Sequence, residues 1–199
     1  MTGETEVRHF WFGDSIAAAD VAKARSALWW EKNAAVDAKM RGRFQALVEE
    51  VGAGTHREWL ATPHGALALI LLTDQFPRNI FRDSPRAFAL DPLALEFANA
   101  AIDAGFVQKL RPIERVFCYL PLEHSETLAD QDRSVELFMA LHAAVADDDK
   151  ELFAGYLDFA VRHRVVIERF GRFPHRNRVL GRVSTGEEMA FLQQPGSSF

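Results

Sequence analysis

The chain has 199 residues, 48% of them apolar and 26% charged, which is ordinary for a soluble globular protein able to bury a substantial core. A formal charge of -5 and an isoelectric point near 5.8 argue against a general nucleic-acid binder, which would show a basic domain. The single cysteine, Cys118, rules out an intrachain disulfide, and the longest apolar run, Ala66–Leu72, is far below the roughly 20 residues of a membrane helix.

The N-terminal stretch MTGETEVRHFWFGD has no basic region leading into a long apolar core, so it does not read as a secretory signal. A cytoplasmic protein without nucleic-acid or membrane partners is expected. After the aromatic entry HFWF and a turn at Gly13–Asp14, Ile16–Glu31 reads as a helix with Val21, Ala24 and Leu28 on one face. Ala35–Val51 follows, striped by Val36, Met40, Phe44, Leu47 and Val51, and Gly52 and Gly54 end it. Trp11, Trp29, Trp30 and Trp59 are expected to anchor these first helices in the core.

Thr62–Pro63 couples a capping hydroxyl to a proline at the first helical position, and the helix runs through GALALILLTDQF. Pro77 has no N–H for the Thr73 carbonyl, so a kink or stop is expected there. Asp91–Pro92 repeats the start signal, and that helix closes at Gly105. Pro112 opens the next, with Pro121 expected to break it, and Thr127–Val145 and Glu151–Phe170 follow across an acidic turn at Asp147–Asp149. A capping box, Thr185 with Glu188 or Ser184 with Glu187, starts a last short helix, and the tail 193–199 should be loose unless Phe199 docks. No stretch alternates with period two, and no 34-residue repeat is legible. The expectation is one all-α domain over residues 1–199, a helical array with irregular repeats.

Three polar segments stand out against this apolar background. In TDQFPRN (Thr73–Asn79), Leu67, Leu71, Asp74 and Arg78 follow helical spacing, so Asp74 extends a buried stripe. Asp74 and Gln75 could then line a pocket floor with Arg78 and Asn79 beyond Pro77. Alternatively, Asp74 and Arg78 pair while Gln75 and Asn79 satisfy the helix end. In LEHSETLADQ (Leu122–Gln131), His124 between Glu123 and Glu126 suits a proton shuttle, because neighbouring carboxylates raise an imidazole pKa. Gln131 lies on the apolar stripe of its helix, so it needs a partner, and the arginine-rich loop is the expected provider. Ser125 and Thr127 read most simply as helix caps.

The third segment, Val165–Leu192, crowds Arg169, Arg172, Arg176, Arg178 and Arg182 together with His175 and Asn177. In an acidic chain such a cluster needs buried carboxylates or an anionic ligand. Arg169, Arg172, Arg176 and Arg182 could converge on a phosphate or carboxylate, which guanidinium groups match bidentately, with His163 and His175 orienting it. They could equally bond to Asp74, Glu123, Glu126, Asp130 and Glu168 and hold an irregular loop in place. DQFPRN also echoes ERFGRFPHRN, either as two equivalent helix ends facing each other or by chance. No metal-ligand signature, phosphate loop or nucleophile elbow is present, so no metal site is expected and the sequence points to no cofactor. Cys118 reads as a buried, inert thiol.

The blocks FWF (Phe10–Phe12), TDQFPRN, YLPLEHSE (Tyr119–Glu126), DQDRSVELF (Asp130–Phe138) and ERFGRFPHRN…LGR.ST (Glu168–Thr185) resemble a widespread bacterial family known as domain of unknown function 924. Nearly the whole chain is covered. The resemblance implies an all-helical fold similar to tetratricopeptide-repeat superhelices and implies no activity. From the residues, two functions are in view. One is a pocket for a small anionic molecule, with acid–base or hydrolytic chemistry on His124, Glu126 or His175. The other is a helical scaffold for an acidic peptide or protein partner. Convergence of the polar groups at one place favours the first, and an open groove lined along its length favours the second.

Overall fold

The computed structural model describes residues 3–197. Among them every regular element is helical: α1 (Gly3–Phe12), α2 (Ala18–Trp30), α3 (Ala34–Gly52), α4 (Pro63–Ile70), α5 (Phe76–Ile80), α6 (Asp91–Asp103), α7 (Pro112–Glu123), α8 (Leu128–Ala144), α9 (Lys150–Phe170) and α10 (Gly186–Leu192). The Thr62–Pro63 start forms as expected, the Thr62 hydroxyl accepting the Gly65 N–H at 3.0 Å. The Thr185–Glu188 capping box opens α10.

The segment ALALILL explains the centre of the molecule. A helix apolar on all sides has to be enclosed, and Ala66 to Leu72 are all fully buried. Helices α1, α6 and α7 pack around α4. Gly65 permits this closeness, since a Cβ there would lie 2.2 Å from the Trp59 carbonyl oxygen. Trp11, Phe12, Trp29, Phe44, Phe76 and Phe117 fill the space toward α2 and α3 with ring centroids 4.7–6.3 Å apart. Full burial of each such aromatic or aliphatic side chain contributes about 1.5–3 kcal/mol. Helices α7, α8 and α9 follow as consecutive packed hairpins, and a small satellite cluster of Val166, Ile167 and Phe173 sits beneath the arginine-rich loop.

Several expectations change. The aromatic entry is itself a helix, with Val7 and Trp11 buried at i, i+4 spacing. Trp30 is 52% exposed, at the rim of the core that its neighbour Trp29 enters. Pro77 does not stop the α4 helix. Leu71–Gln75 widens into a π-turn in which the Phe76 N–H reaches back to the Leu71 carbonyl, and α5 continues the same run. The Thr73 hydroxyl donates to the Leu69 carbonyl at 2.8 Å, and Arg78 donates to the Asp74 carbonyl, so the slipped ladder is satisfied by side chains. Pro121 likewise lies inside α7, which runs on to Glu123. Asp91 does not cap α6 with its side chain, and its carboxylate turns to other work. Ser197 docks its hydroxyl on the Leu192 carbonyl at 3.2 Å, while Phe199 lies outside the described residues.

Candidate functional site

The π-turn pushes Asp74 inward, opposite the end of α7. There Asp74 is fully buried and its Oδ1 lies 2.7 Å from His124 Nδ1 and 3.1 Å from Arg78 Nη1. Gln75 donates to Asp74 Oδ2 at 2.6 Å. Burial alone would raise the Asp74 carboxyl, but Arg78 and His124 outweigh it and hold the group well below the usual carboxylate range. An ionised Asp74 accepts Nδ1–H, which leaves the lone pair of a neutral His124 on Nε2. This is the arrangement in which a carboxylate orients an imidazole for proton transfer.

Sequence reasoning expected flanking carboxylates to raise the His124 pKa. It is lowered instead, by burial and then by the Arg78 charge, which together exceed the effect of Asp74. His163 and His175 are lowered too, chiefly by burial, and His175 falls to about 3. The three imidazoles are near one another: the His124 and His163 rings are 6.2 Å apart, and Phe173 lies between His163, met edge-on at 5.5 Å, and His175, tilted against it at 5.6 Å. His163 Nδ1 lies 2.8 Å from the Phe159 carbonyl and 3.0 Å from Glu123 Oε1. Glu123 is pushed well above the carboxylate range, by burial first and then by the negative charge of Asp74. Burial thus disfavours the charged forms of one carboxyl and three histidines that share one region.

Two arginines close this region on its open side. Arg78 pairs bidentately with Asp91 at 2.9 and 3.2 Å, and Arg176 reaches the same carboxylate at 3.2 Å. Arg176 lies between the faces of Phe173 and Phe88, 4.5 and 4.8 Å from the ring centroids. Burial and the nearby Arg78 lower it to about 10, so it stays charged at neutral pH. The two echoed segments therefore do face each other, and their arginines meet at Asp91. Sequence reasoning missed Asp91, Phe88 and Phe173. Asp91 was visible only as half of an Asp–Pro helix start, and its second role follows from where that start lands in space.

The remaining arginines do not converge with Arg176. Arg182 grips Glu126 at 2.7 and 3.0 Å and also bonds the Phe173 carbonyl, while Glu126 Oε1 accepts the Phe173 N–H at 2.8 Å. Arg172 grips Glu188 at 2.6 and 2.8 Å, and Asn177 adds a bond to the same carboxylate at 3.3 Å. Arg169 pairs with Glu187 on the surface, and Arg178 is exposed. These residues staple the loop to the α7–α8 connection and to α10. Glu126 accordingly belongs to the staple and not to a catalytic set with His124. Asn79 turns away to Asp37, donating at 3.0 Å. Gln131 does not meet the arginine loop: its amide donates to the Glu123 and Ser125 carbonyls at 2.6 and 2.7 Å and caps the end of α7. Ser125 bonds Asp130 and accepts the Thr127 N–H, whereas the Thr127 side chain makes no cap.

The constellation left is Asp74, Gln75, Arg78, Asp91, Glu123, His124, His163, His175 and Arg176. It reaches solvent at Arg78, Asp91 and His124, whose side chains are 20%, 19% and 15% exposed. Among the described residues, no group of three His, Cys, Asp or Glu side chains could hold a metal ion. No helix is long and apolar enough to cross a membrane. Cys118 is buried, which raises its thiol far above neutrality, as expected of an inert residue. Two clefts lie elsewhere, one of about 150 Å³ between α1 and the start of α7, and one of about 230 Å³ beside Gly52 and Leu90.

Comparisons with known proteins agree with the fold. A protein of unknown function, ATU0120, from Agrobacterium tumefaciens has a solved structure that matches with a TM-score of 0.80 at 37% identity, over 96% of each chain. No curated protein matches the sequence. The family model described as bacterial protein of unknown function (DUF924) matches residues 7–196, so the chain belongs to that family.

Proposed function

We propose that the Asp74–His124 constellation binds a small anion, a phosphate or carboxylate group, with His124 able to exchange a proton with it. The observation that carries this reading is the 2.7 Å contact from fully buried Asp74 to partly exposed His124, beside two arginines that share one carboxylate. Fixed donors at a partly dehydrated site attract an anion far more strongly than they would in water. The polar groups meet at one place and do not line a groove, which favours a small ligand over an acidic peptide.

Binding should take up protons. An added negative charge raises the pKa of His124, so affinity should rise as pH falls from 8 toward 6. Thermal melts test the reading directly. Phosphate, sulfate or a dicarboxylate should raise the melting temperature more than chloride does at equal ionic strength. A hundredfold excess over the dissociation constant stabilises the native state by about 2.7 kcal/mol. Arg176→Gln and His124→Gln should each remove the shift contributed by this site. Equal shifts with every salt would leave the constellation as a structural network.

A further inference from the structure

We propose that the cleft between α1 and the start of α7 is a second site, separate from the Asp74–His124 constellation, that takes a phosphate-sized dianion. Its walls include Arg8, His9, Phe12, Gly13, Arg111 and Glu114. Glu114 is 1% exposed, and its carboxylate accepts Arg8 Nη2 at 3.0 Å, Arg111 Nη2 at 3.2 Å and the Arg111 backbone N–H at 3.0 Å. One buried carboxylate is therefore shared by two guanidinium groups.

A third guanidinium stands beside them. Arg25 of α2 presses against Gly13, where an added Cβ would lie 2.2 Å from Arg25 Nη2. Gly13 also has φ +68°, so a side chain there is disfavoured twice. Among the described residues Arg25 has no carboxylate partner, and Asp14 is 91% exposed and faces His9 at 3.2 Å. Two guanidinium groups thus line the cleft and a third presses on its Gly13 wall, against one buried carboxylate, in a chain whose formal charge is -5.

The donors point to an acceptor as well as to a charge. Arg8 Nε and Arg25 Nε are both buried and neither has a hydrogen-bond partner among the described residues. Buried N–H donors without acceptors are uncommon because desolvation is not repaid. A tetrahedral oxyanion supplies several acceptors, and guanidinium groups meet it with paired N–H donors. Two positive charges lack a buried counter-charge, so a dianion fits better than a monoanion. The volume of about 150 Å³ is well below that of a cofactor pocket. It suits free phosphate, or the phosphoryl end of a monoester whose remainder stays in solvent.

The test is nuclear magnetic resonance on the full-length, ¹⁵N-labelled protein, following the arginine Nε–Hε signals and the Gly13 amide. Sodium phosphate, phenyl phosphate and sodium chloride are titrated at matched ionic strength. Saturable shifts of Arg8, Arg25 and Gly13 are expected with phosphate. Phenyl phosphate acting in the same way would assign the site to monoesters, and its failure would assign it to the free anion. Arg25→Gln should weaken phosphate binding at this site by at least about tenfold, and Arg25→Lys, which keeps the charge but lacks Nε, by less. Arg176→Gln should leave these signals unchanged, which separates the two sites. Shifts that grow linearly and equally with chloride would overturn the proposal. So would saturable phosphate binding at full strength in both Arg25 variants.

Discussion

Replacing His175 by glutamine should change how stability depends on pH, whatever it does to stability at neutrality. In the folded protein burial, then the nearby Arg176, hold the imidazole down to about 3, whereas an unfolded chain titrates it near its model value of 6.5. The sign follows from proton counting. Below pH 6.5 the unfolded state binds a proton that the folded state refuses, so stability falls as pH falls, until the folded pKa is reached. For one such group the loss is RT ln(1 + 10^(6.5 − pH)), negligible at pH 7.5, about 0.8 kcal/mol at pH 6 and about 2 kcal/mol at pH 5. Urea titrations of wild type and His175→Gln at these three pH values isolate the term, because any pH-independent cost of the substitution cancels in the comparison. The variant should gain about 2 kcal/mol relative to wild type between pH 7.5 and 5. Parallel curves would mean that His175 titrates in the folded state as it does in the unfolded chain, and the neutral-histidine account of the site would fail.

Other perturbations separate buried pairs from surface ones. Asp74→Ala should destabilise by about 3–5 kcal/mol in urea titrations, because Arg78 and His124 lose a fully buried partner, and a loss under about 1 kcal/mol would contradict the burial argument. Arg172→Ala removes the ionic partner of Glu188 and should lower the melting temperature more than Arg169→Ala, which breaks an exposed pair with Glu187. Equal melting temperatures for these two variants would refute the distinction. Arg172, with further help from the Thr185 N–H and Asn177, holds the Glu188 carboxyl down to about 2. The stability it contributes should therefore be present above about pH 4.5 and be lost as pH falls toward 2. Acid titration of wild type against Glu188→Gln measures that loss.

Much of this molecule could be read from residue order. Helix starts are local events, so Thr62–Pro63 and Thr185–Glu188 were legible from a few residues, and a period near 3.6 with no alternation of two sufficed for an all-α fold. The chemistry of the arginine-rich loop was legible too, since a cation cluster in an acidic chain must be matched. Partner choice was not. Arg176 pairs with Asp91 and Arg182 with Glu126, 85 and 56 residues away, and nothing local distinguishes those carboxylates from their neighbours. Gln131 had equally good local reasons to meet an arginine, but it lands beside the free carbonyls at the end of α7. Pro77 and Pro121 illustrate the same limit. Each removes one donor, which argues for a break, yet surrounding side chains resupply the bonds at Pro77 and enclosure by the core holds both helices together. Residue types determined which groups had to find partners. The tertiary structure decided which partners they found, because charge, burial and distance act together only once α4, α6, α7 and the arginine loop are packed against one another.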